Sequence, residues 1–198
     1  MWEIKAEDFL LGASAVNDLN FKVSYGTQGN ASIGNYQHLG LVSTASKYMD
    51  TGAKVLSQPS NPGLTWEQQA LLTVGINGRF FNMLDVNIEF YNRTTTDMLM
   101  DVPYNYTTGF SSLKANVGSL SNRGVDITLG VDILRGRDYW LRASTTFNYN
   151  DEKVTGLFNG LDRWEMTGYG LAYVVGKPVM FYAPIYAGID PADGAPMW

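Results

Sequence analysis

A chain of 198 residues with no cysteine and a formal charge of −5 excludes several functions at once. Disulfide frameworks, thiolate nucleophiles and cysteine-held metals are ruled out, and the acidic balance lacks the basic patch of a general nucleic-acid binder. No run of about 18 apolar residues exists, so there is no transmembrane helix; membrane strands, whose signal per segment is much weaker, stay open.

In chain order the segments read almost entirely as β. The opening "MWEIKAEDFLLGAS" lacks the basic, apolar and small-residue regions of a signal peptide, so the chain is either cytoplasmic or begins inside a longer one. "WEIKA" reads as the end of a strand, and "EDFLLGASAVND" as an irregular or briefly helical connection. In "LNFKVSYG", Leu19, Phe21, Val23 and Tyr25 share one face opposite Asn20, Lys22 and Ser24, the period of a strand with one apolar side. A long loop rich in Gly, Ser and Asn is expected at about 27–64. "LTWEQQALLTVGINGRFF" returns to strand, with Leu72, Val74, Ile76 and Phe80 on one face. After a short turn near Asn82, Val86, Ile88 and Phe90 alternate with Asp85, Asn87, Glu89 and Tyr91. A second loop at about 97–119 leads to the most regular stretch, "NRGVDITLGVDILRGRDYWLRASTTFNYN", two strands broken near Gly136. A third loop, at about 156–198, is rich in Gly, Pro and aromatic residues.

Two features of this layout point past an ordinary globular domain. Short turns and long loops alternate, so an up-and-down meander gathers its short turns at one end, as outer-membrane barrels do. The alternating runs are also long: nine residues tilted by roughly 45° rise about 21 Å, close to the apolar band of such a barrel. A soluble sandwich or lipocalin-like barrel alternates too, with its apolar face inward, and periodicity alone leaves both open. Aromatics near strand ends (Tyr25, Phe80, Phe81, Tyr91, Tyr139, Tyr149) suit membrane girdles.

Catalytic chemistry finds little support. The single histidine, His38, sits in a loop without an acidic or imidazole neighbour at ligand spacing. Asp85 and Glu89 share a face but stand roughly 13 Å apart, beyond the roughly 5–9.5 Å of glycosidase pairs, and Asp126 and Asp132 are further apart still. With Arg93 and Arg142 these charges are expected to line a hydrated interior and pair across strands. Asp190 and Asp193, in "GIDPADGAP", do not follow the calcium-loop pattern, and the three glycosylation sequons read as chance. No cofactor and no metal is expected. Trp66, Tyr104, Tyr106, Phe110, Trp164 and Tyr169 are the candidates for contacting a substrate or a partner, since aromatic faces in loops stack on sugar rings or cover peptide side chains.

The segments "LNFKVSYGTQGNASIGNY", "NPGLTWEQQ", "VGINGRFFN", "IEFYNRTTTDML", "GFSSLKANVGSLSNRGVDITL" and "VGKPVMFYAPIYAGIDPADGAP" resemble, in order and spacing, the C-terminal barrel region of SusC/RagA-type TonB-dependent transporters. The block from Asn116 to Ile127 is the most diagnostic. The resemblance implies part of a large β-barrel in the bacterial outer membrane that imports oligosaccharides or peptides. It also implies a SusD-like surface lipoprotein as lid, energy from TonB, and contact with outer-membrane lipid. Segments matching the plug domain or the TonB-contacting box are absent, so the expectation is a fragment: an all-β antiparallel meander of five to six strands with three extracellular loops. The rivals are a soluble β-rich carbohydrate-binding module, a glycan-cleaving enzyme and a passive porin.

Overall fold

The computed structural model of the chain describes residues 1–48, 51–104, 106–166, 168 and 170–198. It begins with β1 (Trp2–Glu3), a 3-10 turn and the single-turn helix α1 (Asp8–Leu11). Then come β2 (Val16–Asn30), β3 (Leu41–Tyr48), β4 (Thr51–Gln58), β5 (Glu67–Phe80) and β6 (Leu84–Thr96). The next strands are β7 (Leu99–Pro103), β8 (Ser112–Asn116), β9 (Gly118–Arg135) and β10 (Trp140–Leu157). Five short strands close the chain: β11 (Arg163–Met166), β12 (Leu171–Val174), β13 (Met180–Phe181), β14 (Gly188–Ile189) and β15 (Pro196–Met197).

The long strands form one antiparallel sheet in the order β1-β2-β5-β6-β9-β10. The expected meander of five to six strands is therefore present, and its members reach 18 residues, where globular strands average about 5–6. Short turns join β5 to β6 and β9 to β10 at one end. The first is the three-residue connection 81–83, in which Phe81 and Asn82 both take positive φ (53° and 58°) and Met83 N–H donates to the Phe80 carbonyl, the φ signs of a type I′ turn, whose twist matches a hairpin. Asn17 fixes it from β2, accepting the Asn82 N–H at 2.6 Å and donating to the Asn82 side chain at 2.7 Å.

The opposite end carries the long connections, and they are more ordered than loops. Within the stretch expected to be loop from 27 to 64, β2 continues to Asn30 and β3 pairs with β4. Likewise β7 pairs with β8 inside 97–119, and β11-β12-β13 and β14-β15 form small sheets inside 156–198. These strands are short, and their Gly- and Ser-rich sequences alternate too weakly to announce pairing.

Packing is concentrated at that same end. The buried apolar residues among those described are Val117, Val154, Trp164 and Ala172. Val117 lies just before β9, its N–H bonded to the Met98 carbonyl, and Val154, Trp164 and Ala172 sit where β11-β12-β13 folds against the upper part of β10. There Val154 bridges to Val175, and Trp164 meets Phe158 edge-on at 5.1 Å and stacks on Tyr173 at 5.6 Å. The main sheet itself has no such core on either face.

Candidate functional site: the two faces of the main sheet

The strand register turns alternation into rows that run across the whole sheet. On one side, Trp2, Phe21, Ile76, Ile88, Ile127 and Phe147 are successive cross-strand partners. The next row is Val23, Val74, Phe90, Val125 and Tyr149, and the one on the other side is Leu19, Gly78, Val86, Leu129 and Thr145. Nothing among the described residues covers this face: Phe147 is 59% exposed, Val23 52% and Ile76 44%. A monomeric soluble protein rarely leaves an apolar surface of this extent bare. From Val125 to Ile133 the strand runs about 27 Å, or about 20 Å of height at a tilt of about 40°.

The other side is polar through the middle rows of the sheet. Asn20, Asn77, Asn87, Thr128 and Thr146 form a ladder of amides and hydroxyls. Beside it run Lys22, Gly75, Glu89, Asp126 and Asn148, and then Ser24, Thr73, Tyr91, Gly124 and Asn150. Near the short turns Arg79 holds Asp85 at 3.3 Å and Asp132 at 2.6 Å, while Arg142 reaches Asp85 at 2.9 Å and Asp132 at 3.4 Å. The cluster of two arginines and two aspartates is neutral, so little net charge has to be supported on the wall. It borders an open groove of about 520 Å³ that also takes in Lys22, Asn77 and Ser144. A second depression, of about 400 Å³, lies between Glu89, Tyr91, Arg93 and Asn148.

Besides the bond from Arg79 of β5 to Asp132 of β9, three contacts on this wall span a middle strand by crossing a glycine. Lys22 of β2 passes over Gly75 of β5 to bond Glu89 of β6 at 2.6 Å. Arg142 of β10 passes over Gly130 of β9 to reach Asp85 of β6, and Tyr91 of β6 passes over Gly124 of β9 to donate to Asn150 of β10 at 3.0 Å. A Cβ on Gly75 would lie 2.6 Å from Lys22 Cε, and one on Gly130 2.7 Å from Arg142 Nη2. On Gly124 it would overlap the Tyr91 phenol. The cross-strand pairing expected of Asp85, Glu89 and Arg142 is thus present. Asp132 pairs as expected too, with Arg142 and with Arg79; Arg79 is the partner the alternation did not single out, and its position on the polar side was the available signal. Arg93 lines the second depression.

The six candidate aromatics are scattered rather than convergent. Trp66 is exposed and lies over Gly29, on the apolar side of the sheet. Tyr104 is exposed just past β7, Tyr106 opens a 3-10 turn, and Phe110 borders a cleft with Gln37, Gln58 and Lys114. Trp164 is 7% exposed and packed among Phe158 and Tyr173. Tyr169 lies outside the described residues. In the same packed cluster, burial pushes the Tyr173 phenol above its ordinary range, and the neighbouring Glu152 carboxylate adds to the rise.

Known proteins share this architecture. The TonB-dependent receptor P39 of Formosa agariphila is 32% identical over 85% of the chain and 16% of its own length. The TonB-dependent receptor SusC of Bacteroides thetaiotaomicron is 28% identical over 81% of the chain and 17% of its own. Among solved structures, the RagAB peptide transporter superposes with a TM-score of 0.86 at 40% identity, over 96% of this chain and 21% of that one. The RagAB peptide importer in its open-open state gives 0.83 at 37%, over 99% and 23%. No family model matches. The chain spans about a sixth of the length of these curated relatives.

Proposed function

We infer that this chain, of the SusC/RagA type of TonB-dependent receptor, supplies about six strands to the wall of an outer-membrane importer. The apolar rows face lipid, and the polar rows line the passage through which an oligosaccharide or peptide moves inward. The long connections stand outside the cell and form the vestibule, where Tyr104, Tyr106 and Phe110 meet substrate or a SusD-like lipoprotein lid. Coupling to TonB belongs to parts of the receptor outside this chain. The chemistry is binding and translocation, with no covalent step.

The observation that carries this reading is the sheet with two faces and no core. Through the middle rows one face is predominantly apolar and bare, and the other carries polar side chains and glycines. A lipid bilayer and a water-filled lumen meet both requirements at once. A soluble carbohydrate-binding module would have to cover the apolar face, and no described segment does so. A passive porin shares the barrel physics and differs in energy dependence.

Uptake separates those two. The full-length receptor is expressed in its native outer membrane and offered a labelled oligosaccharide library and a labelled peptide library, with and without TonB. One library is expected to accumulate inside, and accumulation is lost without TonB. Undiminished uptake in the absence of TonB would contradict the importer and favour the pore.

A further inference from the structure

The apolar side of the main sheet changes character at one level. Above the row of Val23, Val74 and Phe90 comes Tyr25, Leu72, Asn92, Arg123 and Asp151, then Thr27, Ala70, Thr94, Ser121 and Lys153. Apolar residues give way to hydroxyls, amides and charges, which is where a bilayer's hydrocarbon would give way to headgroups. At this level, toward the long connections, a groove of about 590 Å³ opens on the same side. Thr27, Gly29, Ala70 and Thr94 form its floor, and Tyr25 and Trp66 its walls. The pairing of β2 with β5 is unbroken from Asp18 to Asn30, so Gly29 faces the same side as Phe21 and Val23. The Trp66 ring lies over it, 3.5 Å from where a Cβ would stand. Trp66 is 63% exposed and Tyr25 70%. None of the lining residues is charged.

We propose that this groove binds the saccharide headgroup of a membrane glycolipid. The proposal rests on the outer-membrane reading above. An indole and a phenol offer flat apolar faces to the C–H side of a sugar ring, and threonine hydroxyls and the Gln68 amide offer donors and acceptors to its hydroxyls. Position selects the source. The groove continues the apolar rows upward on their own side, so a headgroup whose chains lie along Val23, Val74 and Phe90 arrives at its height. A sugar travelling through the barrel passes along the other side. Trp66 is therefore assigned to the membrane and not to transported substrate.

Photo-crosslinking in native outer membranes tests this with the full-length receptor. Benzoylphenylalanine replaces Gln68 in the groove, Phe147 in the apolar rows, or Asn148 on the polar wall. Capture of lipid at position 147 and none at 148 is expected, together with saccharide-bearing lipid at 68. Trp66→Ala should lower that last yield about fivefold, in the range of a lost aromatic contact, and Trp66→Tyr should restore most of it. Lipid capture at 147 with only sugar-free lipid, protein or free oligosaccharide at 68, or with a yield at 68 indifferent to Trp66→Ala, overturns the glycolipid site alone. Absence of lipid at 147 overturns the membrane reading and the site with it.

Discussion

Lys22 reaches Glu89 because the strand between them presents no side chain at Gly75. Adjacent strands stand about 4.8 Å apart, so a bond between alternate strands needs both long side chains and a clear path over the middle one. The same device recurs with Arg142 over Gly130 and Tyr91 over Gly124. It ties strands in threes. Gly75→Val is expected to block the path and cost about 1 kcal/mol, the upper range for partly exposed ion pairs. Thr73→Val, on the same strand and face, is expected to cost less. The temperature at which the full-length barrel unfolds on a semi-native gel measures both, and equal shifts would show the glycine to be incidental. Alternation placed Asp85, Glu89 and Arg142 on one side from sequence alone. Their partners were illegible there, because which strand lies beside which, and in what register, is set by tertiary pairing and not by local pattern.

Between elements, the turns were more legible than the long connections. Breaks near Asn82 and Gly136 are marked by residues suited to tight turns, and turns form there. The hairpins β3-β4 and β7-β8 look like loops in sequence because neither has a buried face to impose a pattern. Trp164 shows why a loop aromatic leaves both roles open, since an aromatic among glycines looks the same whether it covers a neighbour or awaits a ligand; here it fills a small core with Phe158 and Tyr173. Asn116 shows what holds these connections in place. Its side chain accepts the Thr65 N–H at 2.8 Å and donates to the carbonyls of Thr65 at 2.9 Å and Asp97 at 2.8 Å, clasping the chain before β5 to the chain on either side of β7-β8. Asn61 adds a bond to the Lys114 carbonyl at 2.9 Å. Asn116→Ala is expected to leave the barrel assembled while raising the rate of surface proteolysis within 97–117 several-fold. An unchanged cleavage rate in intact cells would count against the clasp.

For the molecule as a whole, the decisive feature is that in this 198-residue chain no described segment covers either face of the largest sheet through its middle rows. Hydrophobic burial, the main favourable contribution in a soluble domain, is here left to the surroundings. Substitution by charge should therefore be costly on one side and mild on the other. Ile127→Arg, in the middle of the apolar rows, is expected to destabilise the assembled barrel by about 2–4 kcal/mol, the penalty for arginine near a bilayer midplane. Asp126→Arg, its neighbour on the polar wall, is expected to fall well below that. Equal penalties in urea unfolding of the reconstituted receptor would be incompatible with two different media.

The most direct measurement labels single cysteines in the full-length receptor, in native outer-membrane vesicles, with a charged maleimide that cannot enter lipid. Cysteines at Leu129 and Phe147 are expected to stay unreacted while those at Thr128 and Asn148, one residue away on each strand, react. Rapid labelling at both Leu129 and Phe147 would place water where this account places acyl chains.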